Sequence, residues 1–391
     1  MVEVRRIGVA AVVGAVALAV AGCGSKQDDG SIVIGVVTAQ TGTLASYDQP
    51  SLAGFRLAID EINARGGLGG KHPVKLLVRD TRSDTATTAS ATQELVDAGA
   101  KIMITPCDAD PSIVAGQITQ PAGVPTLTFC GSSPILPGAV GDMMFTTYPT
   151  DNLQAAALAK YAYESGLRKV YLLVSPDTTY TSGLPEYFGR AFTTLGGTVV
   201  GKGSYAMNQP DFSVAVTTIR NLKEAPDLIM TAAYEPDFPA FIRQLRAAGV
   251  STPVFGADAL GTPTIAGLNE LSNGVVFTSA GCSTPGSKLE EFNQRFKQAV
   301  GHEPSSAYEV NGYEIGLILD AALQGMDEVD GTKIRDALAD LDNFQGVTGS
   351  ITYRGTQRIP VRSVALLRYE GGKAQCVQAL TPAASEIPAP L

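Results

Sequence analysis

The sequence predicts an α/β protein of two lobes, each a mainly parallel sheet flanked by helices, and three observations carry that prediction. Its 391 residues suit two domains of ordinary size rather than one. From Ser31 onward, short apolar β-branched runs alternate with helix-like segments, as a parallel sheet covered on both faces requires. The alternation begins afresh after Tyr148-Pro149 with no linker-like stretch between the halves, which places a cleft between two lobes.

Ile32–Thr38 reads as the first strand. A helix over Pro50–Ala64 follows, with Leu52, Phe55, Ile59 and Ile62 on one face, start signals at Asp48 and Pro50, and a stop at Gly66-Gly67. Strands at Val74–Arg79, Lys101–Thr105 and Val124–Phe129 then alternate with helices over Asp84–Ala98 and Pro111–Gln120. In the second half Asp151 is the expected N-cap of an Ala-rich helix that Gly166 ends. Strands are expected at Lys169–Val174, Thr198–Ser204, Asp227–Thr231, Pro253–Gly256 and Gly274–Thr278, with helices at Gly183–Leu195, Asp211–Leu222 and Pro236–Ala248. Helical stretches at Lys288–Val300, Ala307–Gln324 and Thr332–Leu341 precede β-like segments at Gly349–Tyr353, Val361–Tyr369 and Ala374–Ala379. The tail Thr381–Leu391, with three Pro, is expected to be disordered. Open α/β sheets bind ligands at the carboxyl ends of their strands, so the loops after Thr38, Thr105, Phe129, Val174, Thr231 and Gly256 are the candidate site.

Composition narrows the function. There are 29 Lys plus Arg against 38 Asp plus Glu, so nucleic acid is not an expected partner. With only His72 and His302 and no Cys-x-x-Cys, no metal site is predicted. Arg5 and Arg6 precede the uncharged run Ile7–Val20, 14 residues long and too short to span a bilayer comfortably, so residues 1–22 read as a signal peptide. Val20-Ala21-Gly22-Cys23 resembles the bacterial lipobox, which makes Cys23 the expected lipidated residue and 23–30 a polar tether. Cleavage there removes Glu3, Arg5 and Arg6 and leaves 27 basic and 37 acidic residues, a net charge of −10.

Gly42-Thr-Leu-Ala-Ser-Tyr47, followed by Gly54 and by Ile59-Asp-Glu-Ile-Asn-Ala-Arg-Gly-Gly-Leu-Gly-Gly70, resembles the opening of the leucine/isoleucine/valine-binding proteins, type I solute-binding components of ABC importers. Tyr234-x-Pro236 and Arg243-Gln-Leu-Arg-Ala-Ala-Gly249 extend the likeness, which runs from about Ser31 to about Gln378. It implies the type I periplasmic-binding-protein fold with three interlobe crossovers. Lobe 1 would be 31–150 plus 282–356, and lobe 2 would be 151–281 plus 357–380.

The resemblance also implies site residues. Tyr47 would wall the ligand side-chain pocket, unless it is an ordinary loop tyrosine. Ser132 would hold a ligand carboxylate, and with Ser133 it precedes Pro134 at an expected helix start, where free N–H groups favour an anion; plain N-capping is the alternative. Asp258 would receive a ligand ammonium or else cap a helix in a Gly-rich loop. Tyr180, Tyr234 and Asp151 would line the second lobe's side of the cleft. Pro106-Cys-Asp108-Ala-Asp110-Pro111 departs from the hydroxyl-rich loop of the amino-acid binders. Asp108 or Ala109 then takes the place of a carboxylate-binding serine, and an aspartate there would repel a carboxylate unless protonated. An amide or a cationic ligand would suit it, though both aspartates could simply cap the helix.

Four cysteines remain beyond Cys23, an even number suited to two disulfides in an oxidising compartment, with three possible connectivities. Cys107 and Cys130 follow two successive strands and are paired by position, neighbouring strands being about 4.8 Å apart; Cys282 is left for Cys376. Gly66-Gly-Leu-Gly-Gly-Lys71-His72 fails as a phosphate loop, having Arg65 where Gly is required and His72 in place of Ser or Thr. No nucleophile elbow or dinucleotide fingerprint is present. The expectation is therefore a lipid-anchored, extracytoplasmic, monomeric receptor, not an enzyme and without a cofactor, that closes on a small polar ligand and docks on an ABC permease. A sensor of the same fold without a transport role is the alternative.

Overall fold

The computed structural model describes Met1, Val2 and Gly30–Leu391. The expected signal segment beyond Val2, the lipidation site Cys23 and the tether as far as Asp29 lie outside the described residues. Among the described residues, no helix is long and apolar enough to cross a membrane, and no cluster of three His, Cys, Asp or Glu side chains could hold a metal ion.

The first sheet is built from β1 (Ile32–Thr38), β2 (Val74–Asp80), β3 (Ile102–Thr105), β4 (Thr126–Thr128) and β5 (Met144–Phe145), all parallel, in the order β2-β1-β3-β4-β5. Its connections carry α1 (Ala45–Ala64), α2 (Thr85–Asp97), α3 (Ala109–Thr119) and α4 (Leu136–Val140). Period-two alternation puts successive side chains of each strand on opposite faces. Ile34 and Val36 of β1 and Ile102 and Ile104 of β3 pack with Leu52, Phe55, Ile59 and Ile62 of α1. Val37 and Met103 point the other way, to Ala91 and Leu95 of α2 and Ala115 of α3.

The second sheet has α5 (Asp151–Glu164), β6 (Lys169–Val174), α6 (Thr179–Thr194), β7 (Thr198–Ser204), α7 (Ser213–Arg220), β8 (Leu228–Thr231), α8 (Asp237–Ala247), β9 (Val254–Phe255), the short α9 (Pro263–Ala266) and β10 (Val276–Ser279). The same alternation sends Val170 and Leu172 toward α5 and α6, and Tyr171 and Leu173 toward α7 and α8. The chain then returns to the first sheet with α10 (Lys288–Val300), α11 (Tyr308–Ala322), α12 (Gly331–Ala339) and the hairpin β11 (Phe344–Gln345) and β12 (Ser350–Ile351). It crosses a third time to add β13 (Val364–Glu370) and β14 (Lys373–Leu380), giving the order β14-β13-β10-β9-β8-β6-β7. These last two strands are antiparallel, which closes the sheet edge with a hairpin where another helical crossover would otherwise be needed.

α1 and α11 cross closely because Gly54 and Gly312 meet there: a Cβ on Gly54 would collide with the Glu309 carbonyl, and one on Gly312 with that of Ser51. The crossovers are tied by buried polar groups. Arg362 in the third crossover donates to the Thr147 carbonyl in the first (2.5 Å) and to Glu314 of α11 (2.9 Å). Ala280 N in the second donates to the hydroxyl of Tyr148 in the first (3.0 Å).

Several expectations are corrected. α1 begins a turn early, at Ala45, so Asp48 lies inside the helix; its carboxylate instead accepts Ala39 N (2.6 Å) and Cys107 N (2.8 Å), joining the loops after β1 and β3. Thr150, not Asp151, is the N-cap of α5. The tail is not loose: Pro388 O accepts from Asn152 (2.9 Å), Glu386 pairs with Lys160 (2.7 Å), and Leu391 N donates to Tyr187 (2.8 Å), which anchors it against α5 and α6.

Candidate functional site

The loops at the carboxyl ends of both sheets face one another and meet in a cluster of tyrosines and carboxylates. Tyr47 lies in the first turn of α1, Asp108 at the N-cap of α3, Tyr180 in the first turn of α6, Tyr234 after β8, and Asp258 in the 3-10 turn after β9. Hydrogen bonds cross between the lobes at each point. The Tyr234 hydroxyl donates to Asp108 Oδ2 (3.0 Å), and Glu235 N donates to the Tyr47 hydroxyl oxygen (3.1 Å). Thr179 Oγ1 donates to Asp110 Oδ1 (2.9 Å), and Tyr308 of α11 donates to the Asp258 carbonyl (2.8 Å) and carboxylate (3.2 Å). Within the second lobe Tyr180 donates to Asp258 Oδ1 (3.1 Å) and accepts from Ala259 N (3.2 Å).

Between these groups is a small cavity of about 10 Å³, room for one water-sized group. Tyr47, Ser132, Tyr180, Tyr234, Asp258 and Tyr308 line it, as does the Cys107–Cys130 bridge. The rings interlock: Tyr180 and Tyr234 stack at 5.0 Å, while Tyr47 meets Tyr234 and Tyr308 at 5.6 Å each. Burial holds the Tyr47, Tyr180, Tyr234 and Tyr308 phenols well above their ordinary value, so they stay neutral donors. Burial likewise pushes the Asp108 and Asp258 carboxyls up to about 6, and Asp151 well above the carboxylate range.

Of the residues expected here, Tyr47, Ser132, Tyr180, Tyr234 and Asp258 line the cavity. Asp108 stands behind the Tyr234 hydroxyl and also caps α3 by accepting Asp110 N (3.0 Å). Asp110, for its part, reaches across the lobes. Asp151 is buried beside Ser132, its N–H donating to the Ser132 carbonyl (2.8 Å), and its Oδ1 has no partner. Ser133 does not line the cavity. The expected helix start at Ser132 and Ser133 is corrected: α4 begins at Leu136 with Ile135 as its N-cap and Pro137 in its first turn, and it ends after five residues at Gly141, whose φ is 138°. The serine N–H groups are therefore not the open end of a helix.

Sequence reasoning missed Tyr308 and the partition it makes. Its only local signal was its place at the start of α11, 50 residues from the Asp258 it bonds. Beyond Tyr308 and Asp258 a second chamber of about 360 Å³ opens between the lobes, lined by Tyr148, Phe277, Leu289 and Leu367 and by the Cys282–Cys376 bridge. The first bridge follows from register. Thr105 pairs with Thr128, so the residues two positions further on, Cys107 and Cys130, fall side by side.

Two α/β lobes crossed three times by the chain, closed over a buried polar and aromatic cavity, define a two-lobed solute-binding protein. The periplasmic binding protein family model matches residues 31–374, and the chain belongs to that family. A Leu/Ile/Val-binding protein, BraC3, from Rhizobium johnstonii is 26% identical over 88% of this chain and 92% of its own length. Among solved structures, the branched-chain amino acid transporter substrate-binding protein LivJ from Streptococcus pneumoniae, in complex with isoleucine, superposes with a TM-score of 0.81 at 24% identity. The match covers 90% of this chain and all of that one. A solute-binding protein from R. palustris in complex with benzoate gives 0.80 at 21% identity, over 91% of this chain and 98% of that one.

Proposed function

We propose that this protein is the solute receptor of an ABC importer, lipid-anchored through Cys23 on the outer side of the cell membrane. It would capture a small polar ligand, a branched-chain or other amino acid or an amide, and present it to the permease as a monomer. The observation that carries this reading is the set of hydrogen bonds joining the lobes around the tyrosine-walled cavity. These bonds exist only when the lobes are together, so a ligand that bridges both sides draws the open–closed equilibrium toward the closed form. On this reading lobe 1 is 31–150 plus 282–356 and lobe 2 is 151–281 plus 357–380. Asp258, reached by hydroxyls from both lobes, is the group around which closure is organised. The relatives of this family support the receptor role and its extracytoplasmic place.

The test is titration calorimetry with a panel of amino acids and amides, on wild type and on Asp258→Ala. A best ligand bound at least about tenfold more weakly by the variant supports the assignment; equal affinity removes Asp258 from the site. Silence across the whole panel would contradict the proposed ligand class.

A further inference from the structure

Neither cavity between the lobes is lined by a Lys, Arg or His. The basic group whose charge reaches Tyr148 is Arg362, and its Nη atoms are committed to Glu314 and the Thr147 carbonyl. Against this, Asp108, Asp151 and Asp258 are all buried, and the charges of Asp108 and Asp258 both reach Asp151. Asp151 Oδ1 has no hydrogen-bond partner, although the residue is only 1% exposed. An anionic group entering either cavity would find no side-chain cation and, in the wall, the buried Asp258 carboxylate, whereas a cation would relieve it.

The aromatic walls favour the same charge. An onium group is attracted to Tyr rings within about 6 Å, and Tyr47, Tyr180, Tyr234 and Tyr308 all line the smaller cavity beside Asp258. Asp258 and Tyr308 belong to the walls of both cavities. The smaller is the size of an ammonium head. The larger offers Phe277, Leu289 and Leu367 together with hydroxyls of Thr278 and Ser279, a lining suited to an uncharged body.

We propose that the solute is an organic cation without a carboxylate, its ammonium head held at Asp258 within the tyrosine walls and its body in the adjoining chamber. This rests on the receptor reading above and puts a cation in place of the amino acid or amide named there. The raised carboxyls of Asp108 and Asp258 agree with it, since desolvation without a positive partner is what holds them up.

The experiment is calorimetry on the mature chain at neutral pH with two matched pairs: 3-methylbutylamine against leucine, and 2-phenylethylamine against phenylalanine. Members of a pair differ only by the carboxylate. Each amine is expected to bind at least about tenfold more tightly than its amino acid. Asp258→Asn should abolish that preference. Ala374→Trp, which fills the outer wall of the chamber, should weaken 2-phenylethylamine more than 3-methylbutylamine. An amino acid bound as tightly as its amine, or an Asp258→Asn variant of unchanged preference, overturns the cation proposal and leaves the receptor reading standing. Silence from amines, amino acids and amides alike overturns both.

Discussion

Removing one hydroxyl should loosen the closed form without unfolding either lobe. In Tyr234→Phe the lost group is a phenol that donates at 3.0 Å to Asp108 Oδ2 in the opposite lobe. Both residues are about 95% buried, so in the closed form no water replaces the donor. In the open form each partner is hydrated and nothing is lost. A hydrogen bond to a charged group contributes about 1.5–3 kcal/mol, and about 1.4 kcal/mol is a factor of ten in an equilibrium constant, so the closed population should fall about 10- to 100-fold relative to the open one. The ring remains to stack on Tyr180, which keeps the packing change small. Fluorescence transfer between labels on the two lobes reads the equilibrium directly, and urea unfolding reads lobe stability. Asp108→Asn and the double variant complete a cycle, in which the two single effects should add to more than the double effect. If Tyr234→Phe leaves the label distance distribution unchanged, or lowers lobe stability as much as it shifts closure, the bond does not act as a latch.

Arg362→Met should destabilise the fold by about 3–5 kcal/mol by leaving the 1%-exposed Glu314 carboxylate without its cation; a loss under about 1 kcal/mol in urea unfolding would refute it. Reduction of the two bridges, with sequence separations of 23 and 94, should cost about 3 and about 5 kcal/mol by chain entropy, seen as a lowered melting temperature under reductant. Unfolded, unreduced protein that alkylates at four thiols would show the bridges absent. Asp48 is raised by burial to about 7, and Asp108 and Asp258 to about 6. Such carboxyls bind their protons more tightly folded than unfolded, so the stability they contribute is greatest in acid and is lost as pH rises through 6 to 7. Melting temperature should therefore be higher near pH 5 than near pH 8, a window above that of the exposed acids held low by hydrogen bonds, such as Asp84 and Glu94. A flat or opposite profile would show these carboxyls to be ionised and compensated. Gly312→Ala should prevent α1 and α11 from closing and lower the melting temperature of the first lobe, since its Cβ would collide with the Ser51 carbonyl.

Much of the fold was legible because it is local. The two-residue alternation of β1 and β3 and the one-sided apolar face of α1 are written in neighbouring residues, and hydrophobic burial follows from them. The Cys107–Cys130 pairing was legible too, because two successive parallel strands with matching offsets leave little choice of neighbour. The short helix after Ser132 was misjudged at its start because two prolines, Pro134 and Pro137, lie three positions apart and only packing selects which one the helix admits. The tail was misjudged because its anchors, Asn152, Lys160 and Tyr187, are some 200 residues away along the chain.

The sequence by itself determined the α/β class, the acidic surface, the scarcity of metal-ligating side chains, and which strand-end loops would carry Tyr47, Asp108, Tyr180, Tyr234 and Asp258. Only the tertiary structure decided how those loops meet. It set Tyr308 against Asp258, placed Asp108 under the Tyr234 hydroxyl, and left Asp151 without a partner for Oδ1. The physical reason is that hydrophobic periodicity specifies a face of an element and costs nothing to read locally. The protonation and partnership of a buried carboxylate depend instead on which distant groups exclude water from it, and that is settled only when two lobes close.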